Sequence, residues 1–321
     1  AGLDPARHPL LGAAVELADS GEFVFTGRWS VSTHPWLADH VVQGTVLVPE
    51  TALLELAVRA GDEAGCGTVE ELTLAAPLAL PERGAVMVQM WVGRPEESGH
   101  RAVSIRSRPE DQPGAPWTAY ASGTLAPGRG AVPGEAPAAQ PWPPAGAVPV
   151  DLTGFYEQAA EAGFVYGPVF RGLRAAWRRG DEVLAEAALP EGVDVAGFGL
   201  HPALLDACLH AAGLAGQDGW DRVPFTWRGA CVHAHGARAV RVRLAPAGQD
   251  AISAAITDTA GTPVASVQTL VLRPVPAGQL GTAPGDSLFG VDWIPVQVAG
   301  QVPAGPVVVV GSGQPGLAAL L

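Results

Sequence analysis

Two histidines and one aspartate, in two separate stretches of the chain, have side chains suited to proton transfer. His40 is followed by Gly44 and Pro49, and an apolar helix is predicted to begin after the proline. Asp206 precedes His210 by four residues in a second apolar helix, so these two side chains share one helical face. A neutral imidazole accepts a proton and a carboxylic acid donates one. An elimination that removes a proton and a hydroxide requires both groups.

Both positions also have structural explanations. A lone histidine often bonds a backbone carbonyl, and an aspartate near a helix start interacts favourably with the helix dipole. The apolar neighbours of Asp206, among them Leu205 and Ala207, instead predict a raised pKa that keeps the acid protonated. The free N–H groups at the start of the helix after Pro49 predict a place where a carbonyl oxygen is polarised as it gains negative charge.

A third motif runs from Tyr166 through Gly167 and Pro168 to Phe170. The Gly-Pro pair predicts a turn that presents the Tyr166 hydroxyl and the Phe170 ring to a cleft, although packed loop aromatics are an equal alternative. Residues 223–227, which include Phe225, are predicted to belong to the core or to the wall of a substrate channel.

Composition excludes several classes of chemistry. All 19 basic residues are arginine, and the sequence contains neither lysine nor asparagine, which indicates a GC-rich bacterial gene. A Schiff-base lysine, a P-loop lysine and Cys-His-Asn catalysis are therefore excluded. The net charge of −13 argues against nucleic acid as a partner. His233 and His235 lack a third metal ligand nearby, so we expect no metal site.

Location and redox state are also predicted from composition. The sequence has no run of about 20 apolar residues and no basic-then-apolar signal pattern, so a cytoplasmic protein with no membrane contact is expected. Cys66, Cys208 and Cys231 are far apart and predict buried, reduced thiols rather than disulfides.

The chain is predicted to consist of two halves. A Pro/Gly/Ala-rich linker, residues 126–149, separates residues 1–125 from residues 150–273. Each half is predicted to contain several antiparallel strands around one apolar helix, which gives an α+β fold with two similar halves. Residues 274–321 are expected to be a second Pro/Gly-rich break followed by the truncated start of another domain. Their GxGxxG at residues 311–316 is expected to bind nothing, because no βαβ unit can close after it.

Taken together, the motifs resemble a known family. His40 with Gly44 and Pro49, the Tyr166–Phe170 turn, Asp206 with His210, and Pro-Phe-Thr-Trp at 224–227 occur in this order after an opening His-Pro-Leu-Leu-Gly at residues 8–12. Over residues 8–273 the chain resembles the dehydratase domain of modular type I polyketide synthases. This resemblance implies a double hotdog fold, in which each half wraps an antiparallel sheet around a long helix, with the active site between the halves.

The resemblance also implies a reaction and roles for individual residues. The domain would dehydrate a (3R)-3-hydroxyacyl thioester on an acyl carrier protein to a 2-enoyl thioester. His40 would remove the alpha proton and Asp206 would protonate the departing hydroxyl. His210 would orient Asp206, and Tyr166 would contact the hydroxyl. The remaining implied groups are the backbone N–H near Pro49 and that of Gly167 as donors to the thioester oxygen, with Gly44, Pro168, Phe170 and Phe225 as supporting or substrate-binding residues.

Partners follow from the same resemblance. The phosphopantetheine arm would arrive on the acyl carrier protein, so no free cofactor is expected. Neighbouring synthase domains and a second copy in a homodimer are the other implied partners, and the tail resembles the start of a ketoreductase region. Two residues depart from the family pattern, namely Glu50 where glycine is common and Arg171 where glutamine is common.

Three alternatives stay open at this point. A hotdog thioesterase would use an acid and water on the same scaffold. A catalytically silent module would only shape the synthase or bind the carrier protein. The same residues also permit an altered outcome, such as double-bond isomerisation or beta,gamma-elimination.

Overall fold

The computed structural model describes residues 4–128, 141–214 and 222–274. The predicted GxGxxG segment and most of the 274–321 tail lie outside these residues, as does the middle of the predicted 126–149 linker. The boundaries between linker and halves therefore stay predictions.

The first half contributes nine strands and one long helix. In chain order these are β1 (Asp4–His8), β2 (Leu11–Leu17), β3 (Glu22–Trp29), β4 (His40–Val42), β5 (Thr45–Val46), α1 (Glu50–Glu63), β6 (Thr68–Leu74), β7 (Val86–Val92), β8 (Arg101–Pro109) and β9 (Thr118–Ala126).

The second half contributes eight strands and two helices. They are β10 (Val148–Val150), α2 (Phe155–Glu161), β11 (Phe164–Tyr166), β12 (Leu173–Arg179), β13 (Glu182–Ala188), α3 (Pro202–His210), β14 (Arg222–Val232), β15 (Ala239–Pro246), β16 (Ala251–Thr257) and β17 (Pro263–Pro274).

Fourteen of these strands form one antiparallel sheet, in the order β1-β2-β3-β7-β8-β9-β6-β14-β17-β16-β15-β13-β12-β10. The two halves repeat one arrangement inside this sheet. When the five central strands of each half are numbered along the chain, from β3 in the first half and β13 in the second, their order across the sheet is 1-3-4-5-2 in both. The helix α1 follows strand 1 of the first half, and α3 follows strand 1 of the second. The predicted pair of similar α+β halves is therefore confirmed.

The hydrophobic pattern explains how sheet and helix pack. In β7 the buried residues alternate with half-buried ones, so that Val88, Met90 and Val92 point into the core. In α1 the buried residues recur at helical spacing, as at Ala52, Leu56 and Ala60. Each helix thus lays an apolar face against the inner face of the sheet.

Several elements have a weaker sequence signal, and the prediction did not include them. Strand β8 carries Arg101, Arg106 and Arg108 among its apolar residues. The helix α2 is only seven residues long and follows a left-handed Gly154.

Two strand ladders join the halves. In the large sheet β6 pairs with β14, where Trp227 lies opposite Leu72 and is fully buried. In a separate three-stranded sheet β4 pairs with β5 on one side and with β11 on the other. This second ladder sets His40 directly opposite Tyr166, so backbone pairing between the halves positions two of the predicted site residues.

The first prediction concerns the close approach of β9 to β6. A Cβ on Gly123 would overlap the backbone oxygen of Glu71, so Gly123→Ala is expected to lower the free energy of unfolding by about 1–3 kcal/mol. The control is Gly114→Ala, because a Cβ there meets open space. Thermal unfolding followed by circular dichroism measures both. Equal midpoints for the two variants would contradict the packing described here.

Candidate active site

One hydrogen bond determines which ring nitrogen of His40 carries the proton. Its Nδ1 lies 3.0 Å from the carbonyl oxygen of Leu47. Because a carbonyl only accepts, Nδ1 carries the proton and Nε2 keeps a free lone pair. The imidazole is buried, and its ring centroid lies 5.1 Å from that of Phe170.

Burial keeps this histidine neutral. Removal from water lowers the pKa of His40, whereas the charge of Asp206 and the bond to Leu47 raise it. The first effect is the largest, and the net pKa lies below the ordinary value of 6.5. His40 is therefore unprotonated at neutral pH, as a base must be.

Asp206 ends a chain of hydrogen bonds in the second half. The Nε2 of His210 donates to its Oδ2 at 3.0 Å. The Nδ1 of the same ring lies 3.4 Å from the Tyr156 hydroxyl oxygen. That hydroxyl in turn accepts the backbone N–H of Leu173 at 3.0 Å. The carboxylate is thus oriented by a side chain that is itself held in place.

The charge state of Asp206 differs from the sequence prediction. Burial does raise its pKa, but the charge and hydrogen bond of His210 and the charge of His40 lower it, and the net pKa lies below the usual range. The predicted raised pKa is therefore wrong. The prediction considered only the apolar neighbours, whereas the larger opposing effects come from His210 on the same helix and a smaller one from His40 in the other half.

Tyr166 lies between these groups. Its ring centroid is 5.8 Å from that of His40 and 4.2 Å from that of His210. Burial, followed by the negative charges of Asp206 and Glu50, raises the pKa of Tyr166 well above its ordinary value. The hydroxyl therefore keeps its proton at neutral pH.

Asp39 fixes the turn that follows Tyr166, and the sequence reasoning missed it. Its carbonyl oxygen accepts the N–H of Gly167 at 2.7 Å, and its Oδ2 accepts the N–H of Val169 at 2.9 Å. The N–H of Gly167 is therefore already donated, and its predicted role as a donor to the thioester oxygen is wrong. Only the fold brings Asp39 and this turn together, because they are about 130 residues apart.

Gly44 and Pro49 shape the chain around His40. Gln43 and Gly44 both have positive φ, 49° and 79°, and form the two-residue turn between β4 and β5. A Cβ on Gly44 would meet open space, so the positive φ of the turn, rather than a lack of room, requires the glycine. Pro49 is buried and directly precedes α1.

The other predicted supporting residues differ in how close they lie to His40. Phe170 is fully buried against His40, while Pro168 is exposed in the turn before it. Phe225 lies at a bulge of β14, where the guanidinium carbon of Arg273 is 3.0 Å from its ring centroid. The structure therefore brings Phe170 to the catalytic groups and places Phe225 under an arginine.

Glu50 belongs to the same cluster of titratable side chains as His40, Tyr166 and Asp206. It is the first residue of α1, where its carboxylate accepts a backbone N–H of its own residue. Burial raises its pKa to about 7, against the effect of that hydrogen bond, and the charge of Asp206 raises it further. The sequence identified Glu50 only as a departure from a family pattern, since a glutamate at a helix start normally faces water.

Within residues 4–128, 141–214 and 222–274, no group of three or more His, Cys, Asp or Glu side chains could hold a metal ion. His233 contacts Ser266 instead, with Nε2 3.0 Å from Oγ.

A depression of about 760 Å³ lies over β6–β9, lined by Trp91 and Arg106 among others, and contains no member of the His40–Asp206 cluster. Among the described helices, none has the length and apolar character needed to cross a bilayer.

Two family models match the chain. One, described as the polyketide synthase dehydratase domain, matches residues 8–108, and one described as the polyketide synthase dehydratase N-terminal domain matches residues 134–282. Among curated proteins, polyketide synthase GfsA of Streptomyces halstedii is 52% identical over 95% of the chain. The pikromycin polyketide synthase component PikAII of Streptomyces venezuelae is 50% identical over 100% of it. The chain spans 4% and 9% of these two proteins.

Solved structures agree with the sequence matches. A dehydratase studied for substrate selection in the borrelidin and fluvirucin polyketide synthases is 49% identical, with a TM-score of 0.81 over 86% of this chain and 98% of that one. The dehydratase domain from the terminal module of the rifamycin synthase is 47% identical, with a TM-score of 0.79 over 85% and 98%. The predicted double hotdog fold is confirmed by these neighbours. Together with the buried histidine and aspartate contributed by opposite halves, they identify the chain as a member of the polyketide synthase dehydratase domains, which are hydro-lyases.

Proposed function

We propose that the chain removes water from a (3R)-3-hydroxyacyl thioester carried on an acyl carrier protein and yields the 2-enoyl thioester. The observation that carries this proposal is the state of His40. It is buried and neutral, and its Nδ1–H donates to the carbonyl oxygen of Leu47. The negative charge of Asp206, in the other half, raises its pKa. An elimination needs a base and an acid on one substrate, and two halves that each supply one meet this need.

His40 takes the proton from the alpha carbon through Nε2. The electron pair of the broken C–H bond forms the double bond, and the thioester oxygen gains charge in the transition state. The first turn of α1 begins directly after Pro49, and its partial positive charge stabilises that oxygen.

Asp206 gives its proton to the beta-hydroxyl as the C–O bond breaks, and the hydroxyl leaves as water. Because His210 and His40 lower the pKa of Asp206 in the free protein, the carboxylate must take up a proton when substrate binds. An acyl chain that displaces water strengthens the desolvation that raises this pKa. His40 then returns its proton to Asp206. The reaction is redox neutral and needs no cofactor besides the phosphopantetheine arm.

Further partners follow from the relatives and the sheet. The relatives are multidomain synthases, which supports neighbouring domains and an acyl carrier protein as partners. The edge strands β1 and β10 each pair with one neighbour in the large sheet. Such an edge offers free backbone groups to another chain or domain, which supports a homodimer.

Variants of the two catalytic residues provide the main test. Wild type incubated with a (3R)-3-hydroxybutyryl acyl carrier protein is expected to remove the mass of one water, measured by mass spectrometry. His40→Ala and Asp206→Asn are each expected to slow this step by about 10²–10⁴-fold, because each removes a positioned proton-transfer group. His233→Ala is the control and should match wild type. Release of free acid would support a thioesterase, and equal losses at His233 and His40 would contradict the assignment.

The pH dependence tests the state of His40. Since burial holds its pKa below 6.5, protonation of His40 is expected to cause no decline in kcat/KM as the pH falls through 6.5, and a decline is expected only at lower pH. Stopped-flow or quenched assays of the carrier-bound substrate across this range measure the midpoint. An acid limb with its midpoint above 6.5 would exclude a desolvated His40 as the base.

Glu50 makes stability depend on pH. Its folded pKa of about 7 lies above the ordinary 4.5, so the folded state binds more protons between these values and stability falls as pH rises through them. Glu50→Gln removes this dependence, and its stability advantage over wild type is expected to grow by about 2 kcal/mol from pH 5 to pH 8. Urea unfolding measures it. Glu157→Gln, an exposed position in the first turn of α2, is the control, and an advantage no larger than that of the control would exclude a raised pKa.

A further inference from the structure

The two core helices share a short sequence pattern. Residues 52–55 of α1 read Ala-Leu-Leu-Glu, and residues 203–206 of α3 read Ala-Leu-Leu-Asp. Each helix follows strand 1 of its half in the repeated 1-3-4-5-2 order. Glu55 is therefore the counterpart, in the first half, of the catalytic Asp206 in the second.

The carboxylate of Glu55 is occupied by backbone from the other half. It is 4% exposed, and its Oε1 accepts the N–H of Gly199 at 2.6 Å while Oε2 accepts the N–H of Leu200 at 3.2 Å. His8 Nε2 lies 3.4 Å from Oε1. The Nδ1 of that ring accepts the N–H of Leu10, so Nε2 carries the proton that faces the carboxylate.

Glu55 does not belong to a second substrate site. The cavity beside it, lined by Leu54, Leu200 and Leu205 among others, holds about 20 Å³. This volume accommodates about one water molecule and no acyl chain. Glu55, the counterpart of Asp206, therefore has a different role from that of a catalytic acid.

Thr51 makes a second bond between the same two segments. It lies one turn before Glu55 on α1, is fully buried, and its Oγ1 donates to the carbonyl oxygen of Pro202 at 3.1 Å. Pro202 is the first residue of α3 and precedes Asp206 by four residues. Two consecutive turns of α1 are thus bonded to residues 199–202, where α3 starts.

The start of α1 is also connected to the base, through the residues that precede the helix. Leu47 accepts the Nδ1 proton of His40 and donates its own N–H to the His40 carbonyl at 3.1 Å. Val48 and Pro49 then lead directly into α1. Hydrogen bonds and one helix therefore connect the base continuously to the start of the helix that carries the acid.

We propose that Glu55 and Thr51 are positioning residues, which fasten α1 to the start of α3 and so set the separation of His40 and Asp206. This inference rests on the proposed function, in which both groups act on one substrate. Misplacing reacting groups by about 1 Å can slow a reaction by about 10²-fold while leaving substrate binding intact.

The test compares Thr51→Val, which removes the hydroxyl in nearly the same shape, with Thr51→Ser, which keeps it. With the (3R)-3-hydroxybutyryl acyl carrier protein, Thr51→Val is expected to lower kcat by about 10–100-fold with KM within about twofold of wild type. Thr51→Ser is expected to retain kcat within about threefold. Circular dichroism and thermal unfolding give the folded fraction, to which kcat is normalised.

A pH profile separates positioning from a general loss of structure. The charge of Asp206 raises the pKa of His40, so a wider separation is expected to shift the acid limb of kcat/KM to lower pH in Thr51→Val. The variant leaves in place the other charged and titratable groups of the cluster around His40, which are His210 on α3, Glu50 on α1, and Tyr166 on β11.

Glu55→Gln provides an independent variant, because glutamine keeps the size but offers one acceptor in place of two. It is expected to lower kcat and shift the acid limb in the same direction. The inference is overturned if both Thr51→Val and Glu55→Gln keep a normalised kcat within about threefold of wild type with unchanged pH profiles. If wild type and His40→Ala instead form equal amounts of product, the proposed function itself has failed.

Discussion

The proposed base, His40, and the proposed acid, Asp206, belong to different halves of the chain, so the junction between the halves determines whether the two side chains meet. A double hotdog with correct halves and a loose junction would contain every catalytic residue and have no function. The antiparallel ladder between β4 and β11 meets this constraint at the site itself. Asp39 adds two bonds from the residue before His40 to the turn after Tyr166. The β4–β11 ladder, the turn after Tyr166 and the helix α1 therefore all contribute to the separation of His40 and Asp206.

Electrostatics within the cluster depends on the same junction. Burial alone would make His40 a weaker base and Asp206 a weaker acid in the free protein. Bringing them together opposes both effects, because each charged form stabilises the other. Tyr156 and His210 then fix the direction in which Asp206 can accept or donate a proton. The reactivity of each residue is thus a property of the assembled pair of halves.

The sequence predicted what local spacing determines. The helix after Pro49 and the apolar helix that carries Asp206 and His210 are found where they were expected, because apolar periodicity identifies them. The use of the Gly167 N–H and the contribution of Asp39 were not predictable, since each depends on a partner more than 100 residues away. The charge state of Asp206 was predicted wrongly for another reason, because its apolar neighbours were given more weight than His210, whose charge and hydrogen bond lower its pKa most. Glu55 gave no signal by itself, because its function requires backbone from the second half.

The direct pairing of His40 with Tyr166 in the small sheet also affects how such domains diversify. Backbone hydrogen bonds in a ladder do not depend on side-chain identity, so substitutions at neighbouring positions leave the spacing of these two residues unchanged. Residues that contact the acyl chain can then vary independently of the proton-transfer groups. Substitutions can therefore change substrate preference without a loss of catalysis. A synthase can in this way acquire new products while its elimination chemistry is conserved.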